Sequence, residues 1–356
     1  MERYIKKELK KWKESNSRKP LFLEGARQVG KTYVLKEFAR ENYENTIYIN
    51  FEIDKEARAI FEDTIDPKII LQKLSFLKNK YILPENTALI FDEIQNSPNA
   101  LLSLKYFCED YREYSVMTAG SLLGVKLTSK GFPVGKVDFL NMYPMTFTEF
   151  LEADGNKGLV EYLESIEKIV GLDNVLFDKL NEKLKEYFII GGMPEVVYSW
   201  VNSKNIENVN RIQGQILYGY KILYGYKNNF LTYSNLHVSD IGLLRRRLGI
   251  EPKIILEGNK LFNEFKEVLT KKFILNMLFS KNLYSDIGEI SNCYKFNKDN
   301  KIIPIKFNEK YNSEIFIEFS TKNLQLDKNI LNIPLFMLEY VDKLYKLAVE
   351  NNKGSN

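Results

Sequence analysis

Gly25-Ala26-Arg27-Gln28-Val29-Gly30-Lys31-Thr32 is the stretch on which the reading of this sequence turns. Its glycines and terminal Lys-Thr match the pattern GxxxxGK[ST]. Glycine lets backbone N–H groups turn inward around phosphate oxygens, and the helix that follows adds the positive end of its dipole. Lys31 supplies a cation for the β- and γ-phosphates, and the Thr32 hydroxyl is the expected Mg²⁺ ligand. The bare pattern arises by chance in roughly one chain in a hundred of this length. Context makes it specific. Leu21-Phe22-Leu23 reads as a short apolar strand running into the loop, and Val34, Leu35 and Phe38 recur at helical spacing beyond it. The expected nucleotide-binding residues are Gly25, Ala26, Arg27, Gln28, Val29, Gly30, Lys31, Thr32 and Tyr33, with ATP and Mg²⁺ as the ligands. Arg27 is also a candidate for contact with a neighbouring subunit.

Outward from the loop, the chain alternates strand and helix. Thr46 to Phe51 reads as a strand, Ile69 to Leu77 as a helix, and Thr87 to Phe91 as a buried strand ending in Asp92-Glu93. Ser115 to Thr118 and Lys136 to Leu140 complete the expected strands. Apolar strands separated by helices imply an α/β fold, a parallel sheet with helices on both faces. Asp92, at a strand end about sixty residues beyond the loop, is placed to hold Mg²⁺ directly or through water. Glu93 is placed to polarise the attacking water, which makes Glu93 and Lys31 the expected catalytic pair. Thr118 and Ser121, at the end of the next strand, and Gln95, past Glu93, are candidate sensors of the γ-phosphate or the water.

Composition excludes several other classes. With 44% hydrophobic and 28% charged residues, the 356-residue chain reads as globular, long enough for two or three domains. A net charge of +4 neither requires nor excludes nucleic acid. Cys108 and Cys293 are far apart and outside any CxxC spacing, which argues against a disulfide framework or a cysteine zinc site and for a cytoplasmic location. The single histidine, His237, leaves little room for zinc hydrolysis or a Ser-His relay and is expected to be structural. Ile5, Leu9 and Trp12 recur at helical spacing among lysines, so an amphipathic helix over 1–19 is expected to dock on the following domain. No run approaches the ~18–20 apolar residues of a membrane span, and no membrane partner is expected.

The expected organisation is a P-loop domain over 20–150, a helical lid and connection over 151–235, and a small α/β domain over 236–345. A disordered tail is expected over 346–356. Thr146-Phe147-Thr148-Glu149 has the form of a capping box, and Gly191-Gly192-Met193-Pro194 breaks the helical stretch. The hexapeptide ILYGYK occurs at 216–221 and again at 222–227, too few copies for a solenoid. Helix 259–278, strands near 302–306 and 315–319, and a final strand near 334–340 are expected beyond it. Arg245-Arg246-Arg247 reads as a solvated helix face, with nucleic-acid contact the weaker alternative.

These residues resemble a widespread prokaryotic family of AAA-type ATP-binding proteins whose C-terminal domain is related to restriction endonucleases. The resemblance rests on GARQVGKT, Asn50 to Glu52 (NFE), Phe91 to Gln95 (FDEIQ), Ala119 to Gly124 (AGSLLG), Pro133 to Leu151 and Gly191 to Val197 (GGMPEVV). It implies an AAA-like, additional-strand P-loop core with a helical lid, and puts Gly25, Gly30, Lys31, Thr32, Asp92 and Glu93 in the nucleotide site. The second half departs from the family. Relatives have a longer, partly winged-helix-like stretch before a strand ending in Asp-Ile-Gly-Leu-Leu, whereas Asp240 to Leu244 here follows the duplication almost at once. The nuclease-like signature is eroded, since its acidic and lysine positions fall on Lys271, Cys293 and Lys306-Phe307-Asn308. Lysine in a Mg²⁺ site puts a cation where the metal should bind. A degenerate nuclease fold without nuclease activity is therefore expected.

The leading expectation is a Mg²⁺-dependent ATPase acting as a nucleotide-driven switch on an unknown protein partner or by self-association. Its rivals are a nucleotide-gated interaction protein with negligible turnover and an ATP-driven nucleic-acid-binding protein.

Overall fold

The computed structural model describes residues 1–120, 133–224, 240–257, 260–280, 294–296, 302–304 and 315–353. Its contacts divide the chain into two compact units, one spanning Arg3–Tyr143 and the other made chiefly of Pro144–Asn356.

The first unit is built on a five-stranded parallel sheet of β1 (Leu21–Gly25), β2 (Asn45–Asn50), β3 (Thr87–Asp92), β4 (Ser115–Ala119) and β5 (Asp138–Met142) in the order β2-β3-β4-β1-β5. Strand β4 thus lies between the strand that feeds the glycine loop and the strand that ends in Asp92. This inserted strand is the additional-strand arrangement. Strands β1, β3 and β4 are apolar runs buried on both faces, as central parallel strands must be. The last strand begins two residues later than its apolar pattern suggests, because Asp138 is held at its start by the Lys19 amide at 2.8 Å.

One face of the sheet packs under α3 (Lys55–Asp63), α4 (Pro67–Lys78) and α5 (Pro98–Asp110). There Phe51, Phe61, Phe91 and Phe107 meet edge to face with ring centroids 5.1–6.2 Å apart. Such pairs contribute about 0.5–1.5 kcal/mol each beyond their burial. Phe91 directly precedes Asp92, and Phe51 directly follows Asn50, so the aromatic cluster anchors the strand ends from which polar groups project. The other face takes α2 (Lys31–Asn42), with α1 (Ile5–Glu14) packed on α2. Leu9 and Trp12 of α1 are buried, and the Trp12 indole N–H donates to Lys19 O at 2.8 Å, which satisfies the polar end of an apolar ring.

The second unit begins with helices Phe147–Ala153, Lys157–Glu164, Asn174–Ile190, Pro194–Ser203 and Ile206–Tyr224. The first is opened by a complete capping box, in which Thr146 and Glu149 satisfy each other's backbone N–H groups. Helices Ile241–Arg247, Pro252–Glu257 and Lys260–Ser280 follow. A two-stranded ribbon (Tyr294–Phe296 with Ile302–Pro304) and a three-stranded mixed sheet (Phe316–Ser320, Ile330–Pro334, Gln325–Asp327) come after them. Among the described residues no helix is long and apolar enough to cross a membrane.

Several local expectations change. Ile330–Pro334 is the last strand, and Leu335–Tyr340 is a 3-10 helix rather than strand. Leu335 to Leu338 are all buried, and a run buried on every side has no period from which to tell strand from helix. The helix Val341–Lys353 occupies residues for which a disordered tail is expected from 346. Val341, Leu344, Tyr345 and Ala348 recur at helical spacing and are fully buried, which holds it in place. The stretch Asp240 to Leu244 opens a helix, with the Asp240 carboxylate accepting from Leu243 N at 2.8 Å as its N-cap. His237, the second hexapeptide copy beyond Tyr224, Cys293, Lys306 and Asn308 lie outside the described residues.

Candidate phosphate and metal site

The loop from Gly25 to Gly30 joins β1 to α2, and its backbone uses conformations that few side chains permit. Gly25 has φ +152°, and a Cβ there would lie 2.2 Å from Met142 O. Gly30, at φ 95°, is the N-cap of α2, and Gln28 adopts φ 64° between them. A non-glycine residue in the left-handed region costs energy that the surroundings must offset, and such residues cluster at functional loops. Glu93, at φ 50°, is another. The two strained side-chain-bearing residues of this region are thus one on each side of the site.

Lys31 opens α2 and curls back over the loop, its Nζ donating to the carbonyls of Gly25 and Ala26 at 2.9 Å each. Burial pushes its pKa below the usual lysine value, offset by the negative charges of Glu93 and Asp92, while Arg27 adds to the depression. Thr32 Oγ1 donates to Asp92 Oδ2 at 2.8 Å, closing a contact across sixty residues. The same oxygen accepts from the Tyr48 hydroxyl at 2.8 Å, and Asp92 Oδ1 accepts from the Glu93 amide at 3.1 Å. Burial first, and then its bond to Asp92, pushes the Tyr48 phenol up to about 12.

Glu93 carries its carboxylate into a hydrogen bond from the Gln95 side-chain amide. Gln95 Oε1 and the Thr118 hydroxyl are buried and have no hydrogen-bond partner among the described residues. Gly120 gives that side-chain oxygen room, since a Cβ there would come within 2.7 Å of it. Thr118 is in register with Phe91 on one side and Phe22 on the other, on the strand between the loop strand and the Asp92 strand. Ser121 lies outside the described residues. Tyr33 is exposed on α2, and Val29 is fully buried beneath the loop.

The structure therefore brings Lys31, Thr32, Asp92, Glu93 and Gln95 to one end of the sheet. Two participants were not singled out in the sequence. Tyr48 is one. The other is Arg3, a buried arginine that donates to Val29 O at 3.0 Å and to Tyr143 O at 2.7 Å. It ties the start of the chain to the phosphate loop and to the end of β5. The sequence offers no local signal for either, because each acts through a partner far along the chain.

In the second unit, Arg245 is not a solvated member of a basic run. It is 1% exposed and donates to Ile189 O, Ile250 O, Asn210 Oδ1 and Gln213 Oε1 at 2.6–3.2 Å. Gln213 also donates to Ile189 O and Ile190 O, so the two side chains cap the end of helix Asn174–Ile190. Gly191 and Gly192 end that helix where the backbone must pass closely. A Cβ on Gly192 would lie 2.0 Å from Met145 O, and its amide donates to the buried Asp240 carboxylate.

The inserted strand, the glycine loop and the Thr32–Asp92 contact make the first unit a P-loop NTPase fold. Residues 17–151 match a family model described as an AAA domain. No curated protein matches the chain. Among solved structures, the chain is similar to the RuvB Holliday junction branch migration motor of Thermotoga maritima, at 14% identity over 87% of this chain and 94% of that one, with a TM-score of 0.38. It is also similar to AMPPCP-bound DnaA from Aquifex aeolicus, at 14% identity over 79% of this chain and 78% of that one, with a TM-score of 0.31. PCH-2 of C. elegans matches at 14% identity over 58% of this chain and 63% of that one, also at 0.31. Scores this low do not amount to a shared overall arrangement.

Proposed function

We propose that the chain is an AAA-type ATP-binding protein that hydrolyses ATP with Mg²⁺ and uses the cycle as a switch on a partner. One observation carries the reading: the 2.8 Å bond from Thr32 Oγ1 to Asp92 Oδ2, made beside Lys31 and Glu93. Hydroxyl and carboxylate oxygens are the hard donors that Mg²⁺ prefers, so the residues present fit that ion, with Thr32 and Asp92 holding it. When bound, the ion supplies positive charge to the phosphate oxygens.

The rest is the work of the chain's own groups. The backbone N–H groups of Gly25 to Gly30 bind and orient the phosphates, and the N-terminus of α2 adds its dipole. Lys31 leaves the Gly25 and Ala26 carbonyls to pair with the β- and γ-phosphates. Glu93 accepts the proton of the attacking water, held in orientation by Gln95. The buried Thr118 hydroxyl and Gln95 Oε1 are the groups available to sense the γ-phosphate. Loss of that phosphate on hydrolysis would release the segments it orders. The C-terminal segment supplies no metal-dependent DNA cleavage in this reading, because the resemblance puts Lys271 and Lys306 where carboxylates would be needed to hold the metal.

Lys31→Ala tests the reading at its base. The variant should keep the fold and lose measurable binding of a fluorescent ATP analogue. Wild-type affinity in that variant would sink the assignment of the loop.

A further inference from the structure

We propose that Tyr48 is a positioning residue for the divalent cation, acting through Asp92. The inference rests on the ATP and Mg²⁺ reading above and adds to it a third structural element, the edge strand β2.

The direction of each hydrogen bond is fixed. An ionised carboxylate can only accept, so both hydroxyls that reach Asp92 Oδ2 must donate to it: Thr32 Oγ1 and Tyr48 OH, each at 2.8 Å. Asn50 Nδ2 donates to the Tyr48 hydroxyl at 3.4 Å, which leaves the phenolic proton free to point at Asp92. With the Glu93 amide on Oδ1, the Asp92 carboxylate is gripped from three elements, α2, β2 and the turn after β3. Its two oxygens offer about four lone-pair directions, and these three bonds leave about one for the cation or its water. Without the Tyr48 hydroxyl the carboxylate keeps only the Thr32 hydroxyl and the Glu93 amide to fix its orientation.

Tyr48 itself is pinned. It lies opposite Ile90 in the β2–β3 register, two residues before the Asn50–Asp92 pair. Lys36 Nζ sits 3.5 Å from its ring centroid. Lys36 is one helical turn past Thr32, so α2 presents on one face both the expected metal ligand and the cation that caps the tyrosine ring. Outer partners that orient a metal-holding carboxylate matter to metal affinity nearly as much as the ligands do.

Tyr48→Phe removes one oxygen and keeps the ring. The experiment measures binding of a fluorescent ATP analogue to wild type and variant, first in EDTA and then across a Mg²⁺ titration. The Mg²⁺ concentration for half-effect should rise about tenfold in the variant, with Mg²⁺-free nucleotide affinity within about twofold of wild type. Lys36→Met, which frees the ring but keeps the hydroxyl, should move the half-effect the same way by a smaller factor, and it carries the test if Tyr48→Phe fails to fold. An unchanged half-effect beside a wild type that binds normally overturns the role of Tyr48 and leaves the ATP reading standing. An equal loss of affinity with and without Mg²⁺ also overturns it, since that is loosening of the whole site. A wild type that binds no nucleotide overturns both.

Discussion

Replacing Asp240 by asparagine removes a carboxyl group that is 1% exposed, and the pH dependence of the loss can be worked out from its surroundings. Burial pushes this carboxyl up from 3.8 to about 6, against the pull of the Gly192, Leu243 and Gly242 amides and the Arg245 charge. Lys272 also faces it, and burial depresses that lysine in turn. In the unfolded chain Asp240 titrates near its ordinary value. The folded state therefore holds the proton more tightly, and the stabilisation is fully present below about pH 4 and lost as pH rises through about 6. The rise from 3.8 to about 6 corresponds to ~3 kcal/mol at full effect. Trp200 lies in the second unit and Trp12 in the first, so Trp200 fluorescence in a Trp12→Phe background follows the second unit alone. In urea unfolding, the stability of wild type relative to Asp240→Asn should fall by ~2 kcal/mol between pH 4 and pH 7, most of the full difference. A flat difference, or one that grows with pH, means that the folded state does not hold the Asp240 proton more tightly than the unfolded chain.

Arg3→Met should weaken nucleotide binding about tenfold with and without Mg²⁺ alike, because the Val29 carbonyl of the loop loses a charged donor worth about 1.5–3 kcal/mol; titration calorimetry in EDTA and in Mg²⁺ checks this, and unchanged affinity counts against it. Purified protein incubated with supercoiled or single-stranded DNA and Mg²⁺ or Mn²⁺ should leave the DNA uncut, and metal-dependent cleavage would overturn the expectation of a degenerate nuclease fold.

What could be read from the sequence was what local chemistry writes locally. The loop needs glycine at positions 25 and 30 for backbone reasons, and Asp92-Glu93 end a run, TALIF, too apolar to lie anywhere but the sheet centre. The capping box at Thr146 and Glu149 was legible for the same reason. Contacts between distant residues were not. Tyr48 looks like any aromatic on a strand, and only the β2–β3 register brings its hydroxyl to Asp92. Arg3 looks like a charge on a lysine-rich start until Val29 and Tyr143 come to meet it. Arg245 differs from Arg246 only in which way the helix turns it, and three consecutive arginines carry no sign of which is buried. The last helix runs through 346–353, where a terminal tail is expected, because Val341, Leu344, Tyr345 and Ala348 share one buried face that anchors it.

The proposed function has this site hydrolyse ATP, with Glu93 as the base that activates water. The decisive measurement is turnover of ATP by purified wild type and Glu93→Gln, with nucleotide binding followed on the same preparations. Wild type should release phosphate in a Mg²⁺-dependent manner, and Glu93→Gln should slow this at least ~100-fold while ATP stays bound. Equal rates in the two proteins, or a wild type that binds ATP and releases no phosphate, would contradict the proposed function.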